Sequence, residues 1–260
     1  MKYEEYIITQ KPLSHYALCV WMLDDKQGVQ TFRHIPKCQS MLIFSFNGTT
    51  EISVSGQFLK LPDTFLIPIF NSSQEVRIAA THLIGISFLK DGLFRLVQND
   101  LDAIGFQIPI EKAPVIDGLR QLITGKSFDT VASVIQEYLT KNMMLDRDLS
   151  GVDKAIDQIE NSKGCLSISH ICREVGISER SLQRHFKSKI GISPKKFSKI
   201  TRVNAYLEEL LAKESSDWMQ TVVSFNYHDQ PHLINEFKSI IRLSPRDLLK
   251  LKDSLYQQVS

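Results

Sequence analysis

Four side chains, Arg180, Gln183, Arg184 and Lys187, fall at i, i+3, i+4 and i+7, which places them on one face of a helix. Their chemistry is that of base reading. Arginine pairs bidentately with guanine O6 and N7 and glutamine with adenine N6 and N7, each pair giving about 1–3 kcal/mol of discrimination. A charge run is by itself usually a solvated face. Here it is long and unmixed: Arg180, Arg184, Lys187, Lys189, Lys195, Lys196, Lys199 and Arg202 follow one another with no acidic residue between. Lys187, Lys195, Lys196, Lys199 and Arg202 are the candidate phosphate contacts, because lysine and arginine hold the backbone without reading it.

Such a face needs a helix-turn-helix to present it. Ile168, Ile171, Cys172 and Val175 predict a short amphipathic helix capped by Ser167 and ended by Gly176. Ser178 then caps a second helix whose Leu182, Phe186 and Ile190 point inward. The unit recurs. Phe186 to Pro194 returns 51 residues later as Phe237 to Pro245 with six of nine positions identical. The same offset pairs Ile168 with Met219, Ile171 with Val222, Cys172 with Val223 and Leu182 with Leu233.

In the second copy, Trp218, Met219, Val222 and Val223 lead to Asn226 at the place of the turn glycine. Asn is the residue that best replaces glycine at positive φ. Asp229 caps a helix with Pro231 in its first turn and Leu233, Phe237, Ile240 and Ile241 inward. Its outward face is expected to carry Gln230, His232, Asn235 and Glu236, a weaker polyanion attractor than the first. Between the units, Ser193-Pro194 starts a long connector with apolar Phe197, Ile200, Val203, Leu207, Leu210 and Leu211.

Upstream, the text changes period. Apolar runs at 16–23, 41–46, 51–54, 65–70 and 83–88 are broken by Asp24-Asp25, Asn47-Gly48, Ser55-Gly56, Leu61-Pro62-Asp63 and Asn71-Ser72-Ser73, which predicts short strands joined by tight turns. Phe128, Val131, Ala132, Ile135, Tyr138 and Leu139 then mark an amphipathic helix, more at home on its own domain than on a partner. Asp146-Arg147-Asp148 with Ser150-Gly151 reads as the linker. The expected fold class is therefore α+β, with a β-rich domain over 1–146 and an all-α domain over 150–255.

Bulk numbers agree. The chain has 260 residues and a formal charge of +2, split between −2 over residues 1–149 and +4 over 150–260, so the second part attracts polyanions better. Neither an 18-residue apolar run nor a basic start followed by an apolar stretch occurs, which predicts a soluble, cytoplasmic protein without membrane association. Cys19, Cys38, Cys165 and Cys172 form no C-x-x-C pair and read as buried thiols.

The words SERSLQRHFKSKIGISPKKF and FNYHDQPHLINEFKSIIRLSPRDL resemble the paired helix-turn-helix signature of AraC/XylS regulators, over about 100 residues. That resemblance implies a bacterial transcription regulator whose base contacts come from recognition helices at 179–190 and 230–241, at Arg180, Gln183 and Arg184, then Gln230, His232 and Asn235. Two departures, Asn226 for the usual glycine and Asn235 where some relatives have arginine, bear on the second unit. HIPKCQSMLIFSF and LIGISFLKDGLF resemble cupin-like sensor domains, which implies a small-molecule effector of unnamed chemistry.

Double-stranded DNA is the expected partner, RNA polymerase a candidate one, and the chain a monomer or homodimer. No cofactor, metal or catalysis is expected. A metal-dependent cupin enzyme needs ligands at strand spacing, whereas His15, His34 and His82 are far apart. An alkylation-repair protein needs a four-cysteine zinc cluster, which these spacings do not make. Hydrolase and phosphate-loop words are absent. The alternative for residues 1–145 is a protein-binding or dimerisation platform with no small ligand.

Overall fold

In the computed structural model, residues 1–26, 28–54, 56–101, 114–145, 150–212 and 222–250 are described. The chain is α+β in the expected order. Strands β1 (Lys2–Ile7), β2 (Ala17–Asp24), β3 (Gln30–His34), β4 (Gln39–Val54), β5 (Gln57–Lys60), β6 (Thr64–Ile67) and β7 (Gln74–Leu89) form one antiparallel sheet of order β1-β2-β7-β4-β5, with β3 on β7 and β6 on β4. Helices α1 (Gly92–Val97), α2 (Pro114–Ile123) and α3 (Phe128–Asn142) follow.

Period-two alternation gives the sheet two apolar faces. Leu42, Phe44, Ile84, Ile86 and Phe88 pack with Leu93, Leu96, Leu119, Val131, Ile135 and Leu139 of the three helices. Ile43, Ile52, Phe65, Ile67, Val76, Ile78 and Leu83 build a second core. The apolar stripe of α3 is thus spent within its own domain, where the Tyr138 hydroxyl also donates to the Val115 carbonyl of α2 (2.7 Å).

Some boundaries differ from expectation, with β6 ending at Ile67 short of 70 and β7 beginning at Gln74, well before 83. Asn47-Gly48 does not separate two strands: β4 runs through all 16 residues, with register shifts at Ser45/Asn47 and Asn47/Thr49. A bulge takes up the extra residues, bends the strand and lets pairing with β7 continue, so a turn-like word does not end it. The edge and mostly polar strands β1, β3 and β5 escape an apolar-run reading because each shows the core little of its surface.

Helices α4 (Ser150–Asn161), α5 (Ile168–Val175), α6 (Glu179–Ile190), α7 (Pro194–Ala212), α8 (Gln230–Ile241) and α9 (Pro245–Lys250) complete the chain. Residues 146–148 of the expected linker lie outside the described residues. Ser150 and Gly151 are not linker but the first turn of α4. The reason lies in α4 itself: Val152, Ala155, Ile156 and Ile159 are buried in the C-terminal core, so the helix begins where its apolar stripe needs it.

The two halves are joined through buried groups. Ile35 and Ile69 of the β-rich domain belong to the same apolar cluster as the C-terminal helices. Arg95 of α1 is fully buried; its Nε donates to Asp91 (2.7 Å), one terminal nitrogen to the Met144 carbonyl (2.7 Å) and the other to Asp153 of α4 (3.3 Å). Tyr16 lies under the guanidinium at 3.9 Å and donates to the same Asp153 oxygen (3.1 Å). Burial raises the Asp91 carboxyl above its ordinary range although Arg95 opposes it.

Removing the cation alone leaves Asp91 buried and unpaired. Arg95→Met is expected to cost about 3–5 kcal/mol in denaturant unfolding, and the double variant Arg95→Met/Asp91→Leu to recover most of it. Additive losses in the double variant would contradict the pairing.

Candidate nucleic-acid interface

The first unit is built as its residues dictate. The Ser167 hydroxyl accepts from the His170 N–H (3.2 Å) and caps α5, and Gly176 at φ 73° closes it. The Ser178 hydroxyl accepts from the Ser181 N–H (3.2 Å) and starts α6. Leu182, Phe186 and Ile190 are buried, with the Phe186 ring edge-on to Phe197 of α7 at 5.7 Å. Arg180, Gln183, Arg184 and Lys187 are all exposed on the opposite face. His185, beside them, is half-buried, and burial together with Lys189 and Arg184 lowers its pKa.

Trp218 and Met219 of the second unit lie outside the described residues. Its turn follows expectation: Asn226 has φ 55°, and Asp229 caps α8 by accepting the His232 N–H at 2.7 Å. Pro231 sits in the first turn, and Leu233, Phe237, Ile240 and Ile241 are buried. Val223 does not share the buried position of Cys172, being 79% exposed. Phe225 fills the core instead, its ring 5.9 Å from Tyr206 of α7.

Gln230, His232 and Asn235 are exposed, but Glu236 is not outward. It is 4% exposed, and Arg202 of α7 donates to its Oε1 through Nε (2.8 Å) and a terminal nitrogen (2.6 Å). The Tyr227 hydroxyl donates to the same oxygen (3.1 Å), and the Lys199 ammonium stands 3.3 Å from the other. A carboxylate enters a protein interior only with such compensation, and two cations with a hydroxyl provide it. Burial, then the Glu236 charge, pushes the Tyr227 phenol well above its usual range, so it remains a donor.

This pair takes Arg202 away from the surface. Its side chain is 15% exposed and turned to Glu236, so of the five candidate phosphate contacts Lys187 and Lys195 stand most openly, with Lys196 and Lys199 half-buried. Burial, with the nearby Lys199 and Arg242 charges, lowers the Lys196 pKa, an environment that an anion relieves. The 51-residue offset carried a signal for Glu236: it pairs that residue with His185, between outward Arg184 and inward Phe186. The same offset pairs Lys187 with Lys238, an exposed cation that side-chain class alone did not single out.

His34 rests edge-on against Phe70 at 5.7 Å, and burial with the Lys37 charge brings its pKa down to about 4. No group of three or more His, Cys, Asp or Glu arranged for a metal occurs among the described residues. Nor is any helix among them long and apolar enough to cross a membrane.

Residues 171–251 match the family described as helix-turn-helix domain. No curated protein matches the chain. Among solved structures, ToxT from Vibrio cholerae is similar, with 10% identity over 96% of this chain and 99% of its own at a TM-score of 0.47. ToxT of the same organism bound to an unsaturated fatty acid shares 11% identity over 88% and 93%, with a TM-score of 0.44. A cupin superfamily protein from Desulfitobacterium hafniense shares 10% over 34% of this chain and 78% of its own, with a TM-score of 0.25. Likeness at these identities and scores transfers no function.

Glu236→Gln is expected to cost about 3–5 kcal/mol of stability because it leaves Arg202 and Lys199 uncompensated, while Asn235→Ala stays within about 0.5 kcal/mol. Equal effects of the two substitutions in chemical denaturation would contradict the buried placement.

Proposed function

We propose, with an AraC-type helix-turn-helix domain at the C-terminus as the premise, that the chain is a sequence-specific DNA-binding transcription regulator. The observation that carries this reading is the exposed face of α6, where Arg180, Gln183, Arg184 and Lys187 stand together on a capped second helix. Recognition helices α6 and α8 enter successive major-groove segments of one duplex, about 34 Å apart, with α7 as the rigid connector. Arg180, Gln183 and Arg184 read bases, and Gln230, His232 and Asn235 read them more weakly. Lys187, Lys195, Lys196 and Lys199 hold phosphates. Arg202 serves the buried pair with Glu236 instead.

The β-rich domain binds a small effector in this reading, and the chain performs no catalysis. The second reading, a protein-binding platform, is separated from it by a thermal-shift screen of the full chain against small molecules, since a ligand of the folded state raises Tm. RNA polymerase is the candidate protein partner of either reading.

Selection of duplexes from a random pool supplies the DNA for the test. Arg184→Ala is expected to weaken the selected duplex by about 1–3 kcal/mol and leave scrambled DNA almost unchanged. Lys195→Ala should weaken both alike and flatten the salt dependence by about one unit of slope. The assignment of base and phosphate roles fails if the two variants behave identically on selected and scrambled DNA.

A further inference from the structure

The two units end their recognition helices differently. By the 51-residue offset, Gly191 after α6 corresponds to Arg242 after α8, and both take the left-handed conformation, at φ 87° and 65°. Glycine adopts it without steric penalty; arginine does not. A strained residue where its own repeat has the unstrained one calls for a compensating role of the side chain.

The side chain has such a role. A terminal nitrogen of Arg242 donates to the Ser72 hydroxyl (3.1 Å), in the loop between β6 and β7 of the β-rich domain. The neighbouring Ser73 donates its N–H to the Ile240 carbonyl (2.6 Å) and its hydroxyl to the Ile241 carbonyl (2.6 Å). These carbonyls belong to the last turn of α8, which has no partners of its own for them. Both serines are buried, and Ile69, just before them, lies in the C-terminal apolar core. A loop of one domain therefore caps and grips the second recognition helix of the other.

We propose that Arg242 is a positioning residue through which the β-rich domain sets the orientation of α8 for base reading. The inference rests on the DNA-binding reading given above. Its physical force is leverage: twelve residues make a helix about 18 Å long, so a tilt of about 10° pivoting at the C-terminal end moves the Gln230 end by about 3 Å. Base contacts do not survive such a displacement. Both helices close through the N–H of the left-handed residue, Gly191 returning to the Phe186 and Lys187 carbonyls and Arg242 to that of Lys238; what α8 has in addition is the loop on its Ile240 and Ile241 carbonyls. α6 also meets the β-rich domain, Ser188 donating to Asp100 and the Lys189 ammonium lying 5.8 Å from the Phe94 ring, but the grip on last-turn carbonyls is made on α8, so a change in the 71–73 loop reaches the DNA through that helix.

The test uses the full chain, Arg242→Gly and Ser72→Ala, the second of which changes no charge. In the free protein, amide exchange in the last turn of α8 is expected to rise in both variants. Tm of Arg242→Gly should hold or rise by about 2–4 °C, because glycine relieves the backbone. On the duplex selected by the unmodified chain, both variants should lose affinity, Arg242→Gly by about tenfold, and that loss should vanish once the half read by α8 is scrambled. Unchanged exchange in both variants overturns the proposal. So does an equal loss on duplexes with either half scrambled, the signature of a simple charge contact. If the unmodified chain selects no duplex, the DNA-binding reading fails, while the exchange measurement still decides whether Arg242 couples the domains.

Discussion

The apolar face of α7 is the constraint on which the C-terminal domain depends. Phe197, Ile200, Val203, Leu207 and Leu210 are buried along it, and Tyr206 meets both Phe225 and Phe237 edge-on at 5.9 and 5.5 Å. Each side chain of this size contributes about 1.5–3 kcal/mol on burial. Several together hold α6 and α8 against the connector in one apolar cluster. Two helix-turn-helix units on separate, loosely held bodies would lose orientational entropy whenever both engaged one partner; a shared core removes most of that cost beforehand.

Onto this apolar frame the structure adds charges that stabilise little but specify much. Glu236, held by Arg202, Lys199 and Tyr227, fixes the roll of α8 on α7, because a buried carboxylate has few orientations in which its partners satisfy it. Arg95 does the same between the domains, bonding α1, the Met144 carbonyl and α4 at once. Asn204 donating to the Pro36 carbonyl (2.9 Å) and Cys38 beside Thr201 (3.3 Å) continue the seam along α7. Cys38 is held as a neutral thiol there, its pKa pushed up to about 12 by burial, which suits packing and not redox chemistry.

What was legible follows from the range of the forces involved. Caps, turns and helix faces are set within a few residues, so Ser167, Gly176, Ser178, Asn226 and Asp229 perform the parts that their types and spacing assign. The inward stripes of α6, α7 and α8 were equally plain, since helical period is a local property. Strands were legible only where apolar: the bulged middle of β4 and the polar edges resist such reading, because their pairing partners lie far along the chain.

The sequence by itself therefore determined two helix-turn-helix units, a long connector, a β-rich domain before them and a basic face on α6. Only the tertiary structure decided that Glu236 turns inward, that Arg202 leaves the surface to meet it, and that the 71–73 loop holds the end of α8. Each of these pairs residues 34 to 170 positions apart. Whether a charged side chain is outward or buried depends on whether its compensating partner arrives there, and a partner from another element leaves no mark in the local text.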